Sequence, residues 1–198
     1  MRDRRKGTRQ AGFSLFELMT VMLIIMVVSA IAIPTMMNTL ADVRLRSSAS
    51  TIQGQLQQLR MRAVRDNKPY KGKMTTQAGV IMMYLDLDGD SAYDANEPSV
   101  ALARDVRVAF SGTSAPTMPD TLLPGISAYA TGNMSTAIWF NARGLPCDTS
   151  ASAACNTSKG YIYYLGQLRS SSRIAWAAVS VTPAGRVKVW RWTGSAWL

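Results

Sequence analysis

The chain has no histidine in its 198 residues. That removes the commonest general base and the commonest zinc ligand. It has two cysteines, Cys147 and Cys155, too few to complete a four-ligand zinc site. It has no Gly-x-x-x-x-Gly-Lys phosphate loop and no His-Glu-x-x-His helix. No nucleophile stands beside an evident base. Together these absences argue against an enzyme. No period of about 20–50 residues repeats, so a solenoid is excluded. Charge is also missing over one long stretch: Leu18 to Ala41 contain no Asp, Glu, Lys or Arg.

What is present is a basic balance and an apolar run. Lys and Arg number 22 against 12 Asp and Glu, a net charge of +10. Such a chain suits anionic partners: phospholipid headgroups, nucleic acid or acidic protein. The charge-free run is centred on VMLIIMVVSAIAI, and about 20 apolar residues suffice to cross a bilayer as a helix. Ahead of it, MRDRRKGTRQAG carries Arg2, Arg4, Arg5, Lys6 and Arg9 against Asp3 alone. A basic flank of this kind is held in the cytoplasm, which puts the remainder outside the inner membrane. A secretory signal peptide competes with this reading, but no A-x-A-like cleavage site follows the run cleanly. A plain anchor competes too, and it leaves Glu17 unexplained. A charge at the centre of a membrane helix costs about 2.5–3.5 kcal/mol, less at the edge.

Glu17 acquires a role if the chain is cut after Gly12. Phe13 then carries a free amine, and a carboxylate four residues on lies one helical turn away. The two can neutralise each other within a subunit or between neighbours, and a Glu near a helix start also complements the dipole. The stretch GFSLFELM resembles the class III signal of type IV pilins and type II secretion pseudopilins. The resemblance implies that a prepilin peptidase cuts after Gly12 and methylates Phe13. It implies that Glu17 sets register with a neighbouring subunit, and that Pro34 bends or melts the helix locally in a filament. FNARGLP (140–146) and VTPAGRVKVW (181–190) resemble the GspH/FimT group of minor pilins and pseudopilins. The implied function is a minor type IV pilin of the FimT-like kind, built into a pilus, with a DNA-binding or DNA-uptake role at its tip. The alternative is a GspH-like minor pseudopilin of a type II secretion system. Either begins as a single-pass inner-membrane protein with its head in the periplasm, and its partners are other pilins or pseudopilins. Loss of the leader, 1–12, removes five cations and one anion and leaves a net +6 of the +10.

Beyond the run, apolar residues recur at Leu45, Ala49, Ile52, Leu56, Leu59 and Ala63, one stripe of a helix. Asn67 and Pro69 end it. The expected organisation is a membrane and assembly helix over 13–41, an amphipathic half over 42–66, and a β-rich head over 67–198. Expected strands are Val80–Leu85, Val100–Phe110, Ala137–Phe140, Tyr161–Leu165, Arg173–Val181 and Arg186–Trp192. The fold class is α+β: one long helix packed on an antiparallel sheet.

Three constellations and a cysteine pair are candidates for chemistry. DLDGDSAYDANE (86–97) sets Asp86, Asp88, Asp90, Asp94 and Glu97 at the oxygen-ligand positions of a Ca²⁺ loop. Ser91 stands where that template has Gly, and an acidic hairpin turn explains the same residues. On a strand through 186–192, Arg186, Lys188, Trp190 and Trp192 share one face, which suits phosphates and stacked bases. A Trp in the core with a cation over it explains them equally. The DNA-binding members of the group carry Gly-Arg-x-Arg near the C-terminus, and the matching residues here are Gly185, Arg186, Val187 and Lys188. Arg60, Arg62, Arg65, Lys68, Lys71 and Lys73 form a basic cluster around the helix end, either an anionic footprint or a solvated face. Export predicts a disulfide between Cys147 and Cys155; in a cytosolic chain they are free thiols.

Overall fold

The computed structural model describes residues 13–108, 114–147, 157–169 and 174–198. Gly12, Cys155 and the ends of two expected strands, Phe110 and Arg173, lie outside these residues.

One helix, α1 (Leu15–Arg65), runs unbroken for 51 residues, about 76 Å at 1.5 Å per residue. It starts where Ser14 leaves the extended conformation: the Ser14 Oγ accepts the Glu17 N–H at 3.1 Å. Ser at the cap with Glu three residues on is a capping-box pattern. At the other end Asn67 takes a left-handed φ of 51°. Lys68 N–H then reaches Ala63 O at 3.2 Å and Asn67 N–H reaches Val64 O at 3.4 Å. This crossed pair is a Schellman termination, and Asn is among the non-glycine residues that tolerate it best.

Among the described residues the head has ten strands. They are β1 (Tyr70–Gln77), β2 (Val80–Asp86), β3 (Ser99–Ala101), β4 (Val106–Val108), β5 (Ala130–Gly132), β6 (Ile138–Phe140), β7 (Pro146–Cys147), β8 (Tyr161–Leu168), β9 (Ile174–Val181) and β10 (Val187–Arg191). They form two sheets, ordered β3-β2-β1-β6-β7 and β10-β9-β8-β4. β5 joins the second sheet alongside β8, and that pairing is parallel. The other pairings are antiparallel.

The architecture is α+β, a long helix on sheet. The expected single antiparallel sheet is two sheets with one parallel pairing, β5 and β7 were not expected, and two further elements differ. The expected strand Val100–Phe110 divides into β3 and β4, which belong to different sheets. The chain turns between them, with Val106 N–H on Ala103 O at 3.0 Å, and Ser48 of α1 accepts the Ala103 N–H at 3.0 Å. β1 carries no expected strand because Lys71, Gly72, Lys73 and Thr76 dilute its pattern. Gly72 is there for space: a Cβ would lie 3.0 Å from Leu59 Cδ2.

The stripe Leu45, Ala49, Ile52, Leu56, Leu59 and Ala63 is buried and packs with the inner faces of both sheets, including Ile81, Phe140, Leu165 and Val179. A second cluster covers the opposite face of β8, β9 and β10, with Met118, Leu123, Ile162, Trp176, Trp190 and Trp197. Burial on both faces is why β8 and β9 read as continuous apolar runs and not as alternations.

Candidate functional site

The membrane-type half of α1 is exposed over most of its length. Its most apolar window has a mean hydropathy of 2.5 and none of it is buried. Phe13 is 82% exposed and Phe16 79%, so this surface needs a cover. Glu17 sits in the first turn, its N–H held by Ser14. Phe13 precedes the helix, which begins at Leu15. Pro34 lies inside the helix without breaking it. Beside it the Thr35 hydroxyl donates to Ile31 O at 3.1 Å, and Thr39 donates to Thr35 O at 3.0 Å. Such back-bonding helps a helix carry a proline where water is absent.

The turns of FNARGLP and VTPAGRVKVW meet on α1. Asn141 Oδ1 accepts the N–H groups of Arg143 and Leu145, both at 3.0 Å. Gly144 has φ 73° and Gly185 φ 79°. A Cβ on Gly185 would lie 2.6 Å from Gly144 O. Arg60 Nη1 donates to Gly185 O at 2.9 Å. The two glycines and Arg60 therefore make one junction between helix and head. Arg60 belongs to this junction, a role its place in a basic run conceals.

On β10 the expected face is present but unequal. Lys188 Nζ lies 3.4 Å from the centroid of the Trp190 ring. Trp190 is buried, with Nε1–H on Ser180 Oγ at 2.8 Å, so its ring offers no surface for a base. Trp192 is half-buried against Trp197, with ring centroids 5.4 Å apart. Arg186 is exposed at the start of the strand. The accessible part of the DNA candidate is thus Arg186, with Lys188 and Trp192 half-buried.

The acidic loop is organised from inside. Lys71 and Asp86 are cross-strand partners of β1 and β2. Lys71 Nζ lies 2.8 Å from Asp86 Oδ2 and donates to Gly89 O at 2.8 Å and Ser91 Oγ at 2.5 Å. Asp86 also accepts the N–H groups of Gly89 and Ser91 at 2.6 and 2.8 Å. Glu97 accepts the Leu87 N–H at 2.9 Å and the Asp94 N–H at 3.3 Å. Ser91 has φ 67°, the conformation for which the calcium template places a glycine. Carboxylate oxygens of Asp88, Asp90 and Asp94, all exposed, lie within 4.8 Å of one another. Asp86, Asp88 and Glu97 form a second such group, in which Asp86 and Glu97 are buried and already hydrogen-bonded, so a cation finds its free carboxylates at the surface. Burial pushes the Tyr84 hydroxyl up to about 12, and the charges of Asp86, Glu97 and Asp90 add to the shift.

The basic cluster is dispersed. Lys71 is buried and paired, Lys73 reaches Ser91 O at 3.4 Å, and Arg65 pairs with Asp66 at 2.8 Å. That pairing holds the Asp66 carboxyl below its ordinary range. Cys147 is buried, and no described cysteine is free.

Residues 7–33 match the prokaryotic N-terminal methylation motif. The solved minor pseudopilin EpsH from the type 2 secretion system of Vibrio cholerae is similar over 75% of this chain and 97% of that one, at 9% identity and a TM-score of 0.40. No curated protein matches the chain.

Proposed function

We propose that this chain, type IV pilin-like in its methylation motif and in its helix-on-sheet fold, is a minor pilin of the FimT-like kind. It is processed after Gly12 and built into a pilus through α1. The observation that carries this reading is one helix with two surfaces. From Leu45 to Ala63 its stripe is sealed against the head, while the apolar window before it is unburied. The bilayer covers that window before assembly, and the helices of other pilins cover it afterwards. Prepilin peptidase is the partner that converts one state to the other. The liberated Phe13 amine and the Glu17 carboxylate compensate each other where water is scarce, and this opposes any register that separates them. The head lies in the periplasm, and Cys147 bridges to Cys155 there. Arg186 and Lys188 give the head a cationic edge for DNA.

Mass spectrometry of the membrane-extracted chain, from cells with a working peptidase, tests the processing. A methylated Phe13 start is expected; an intact Met1 start would overturn the reading. Glu17→Ala is expected to leave cleavage intact and remove the subunit from sheared fibres. If the wild-type chain supports protein secretion and is absent from pili, the pseudopilin alternative replaces the pilin. Arg186→Gln with Lys188→Gln should weaken DNA binding and flatten its salt dependence; unchanged affinity would remove DNA from the account.

A further inference from the structure

A cleft of about 180 Å³ opens between the stem helix and the ends of β8, β9 and β10. It is lined by Asp42 and Arg46 from α1, Arg169 beyond β8, Trp176 of β9, and Arg191 and Trp192 at the end of β10. Three guanidinium groups face one carboxylate, and that carboxylate is already bound by Arg169. Arg169 Nε is buried without a hydrogen-bond partner. Arg46 and Arg191 are exposed and have no ion-pair partner among the described residues. Two exposed, uncompensated guanidinium groups beside a third suit an oxygen-rich anion, which guanidinium groups bind through paired N–H donors.

Position along the helix selects the source of that anion. Asp42 is the first charged residue after the apolar run. A hydrocarbon core of about 30 Å takes about 20 residues of helix, so a span beginning at Leu18 ends near residue 37. Asp42 and Arg46 then stand about 7 to 13 Å beyond it. The Cα–Cβ bonds of a helix tilt toward its N-terminus, which at Arg46 is the side of the bilayer. Trp192, half-buried at the cleft, is of the residue type that favours this interface. The candidate DNA edge is elsewhere: Arg186 and Arg191 are five residues apart along the strand, about 17 Å.

We propose that this cleft binds the headgroup phosphate of an anionic phospholipid in the outer leaflet and seats the head on the membrane before assembly. The inference rests on the reading that residues 13–41 cross the bilayer.

The test uses the full chain in detergent with equal amounts of phosphatidylglycerol and phosphatidylcholine, and native mass spectrometry to count retained lipid. Phosphatidylglycerol is expected in about tenfold excess or more, since each basic side chain near an anionic headgroup adds about a factor of five. Arg46→Gln with Arg191→Gln should abolish the preference. The same two positions as Lys should keep part of it, which separates lost charge from lost folding. Arg186→Gln with Lys188→Gln should leave it unchanged. Equal retention of both lipids by the wild type, or a preference that survives the Arg46→Gln, Arg191→Gln pair, would overturn the proposal. So would inorganic phosphate or a DNA oligonucleotide held through Arg46 and Arg191 with no lipid preference. Flotation with vesicles separates the two levels. A chain that floats without lipid preference defeats the cleft alone, and one that does not float defeats the membrane reading as well.

Discussion

Lys71 and Asp86 face each other across β1 and β2 as an ion pair of 2.8 Å, with side chains only 5% and 0% exposed. The pair carries the acidic loop on its back: its remaining hydrogen bonds go to Gly89 and Ser91. Removing one member leaves a buried charge without its partner. Lys71→Met is expected to cost about 3–5 kcal/mol by denaturant unfolding. Adding Asp86→Leu should recover part of the loss, and only part, because the Gly89 and Ser91 N–H groups stay unsatisfied.

The same bonds bear on calcium. The loop's backbone donors are met by Asp86, Asp88, Asp90 and Glu97, so its shape does not require an ion. Melting in chelator and in millimolar Ca²⁺ is expected to give the same midpoint. A rise of several degrees on adding Ca²⁺ would instead show that the folded chain binds the ion, and its loss in Asp90→Asn with Asp94→Asn would place it on the exposed carboxylates.

Tyr84 predicts a loss of stability in alkali. Its hydroxyl donates to Ser91 O at 2.9 Å, and its pKa in the fold is about 12 against about 10 when unfolded. The unfolded chain therefore releases this proton first. The contribution is complete below about pH 10 and falls as pH rises toward 12. Unfolding followed across that window should be less steep for Tyr84→Phe. The slope should not vanish, because burial also raises the Tyr163 hydroxyl.

Gly79 in the β1–β2 turn and Gly185 at the helix–head junction distinguish backbone strain from crowding. Gly79 and Gly185 both have positive φ, but a Cβ at Gly79 meets open space while one at Gly185 meets Gly144 O. Gly79→Ala should cost about 1 kcal/mol from conformation alone. Gly185→Ala should cost clearly more, about 2–4 kcal/mol, by adding a clash to the strain. Equal losses in the two variants would refute this account of the junction.

The stem was legible because helix burial follows a strict period: six residues spaced four and three apart all face the head. The two-sheet arrangement was not, since β8 and β9 are covered on both faces and their sequence no longer says which side meets the helix. Lys71 misled for a related reason. A lysine beside Arg65 and Lys68 reads as one more solvated cation until its strand partner, Asp86, is known. Trp190 read correctly as sharing a face with Lys188. Its burial depends on Trp197, seven residues on past the end of β10, and on Met118 from a distant part of the chain, both in the second cluster. Ser14 could have been found, because Ser followed three residues later by Glu ahead of an apolar run is a start signal in its own right.

The continuity of α1 past Pro34 has a mechanical consequence. With no joint between Glu17 and Arg65, the base of the rod and the head are one lever. A twist or lift applied at the foot is carried along the helix toward the Arg60–Gly185 contact. A pull of the foot against the head is then resisted by the packing of the stripe under the sheets, and the first point to yield should be that seam and not the shaft.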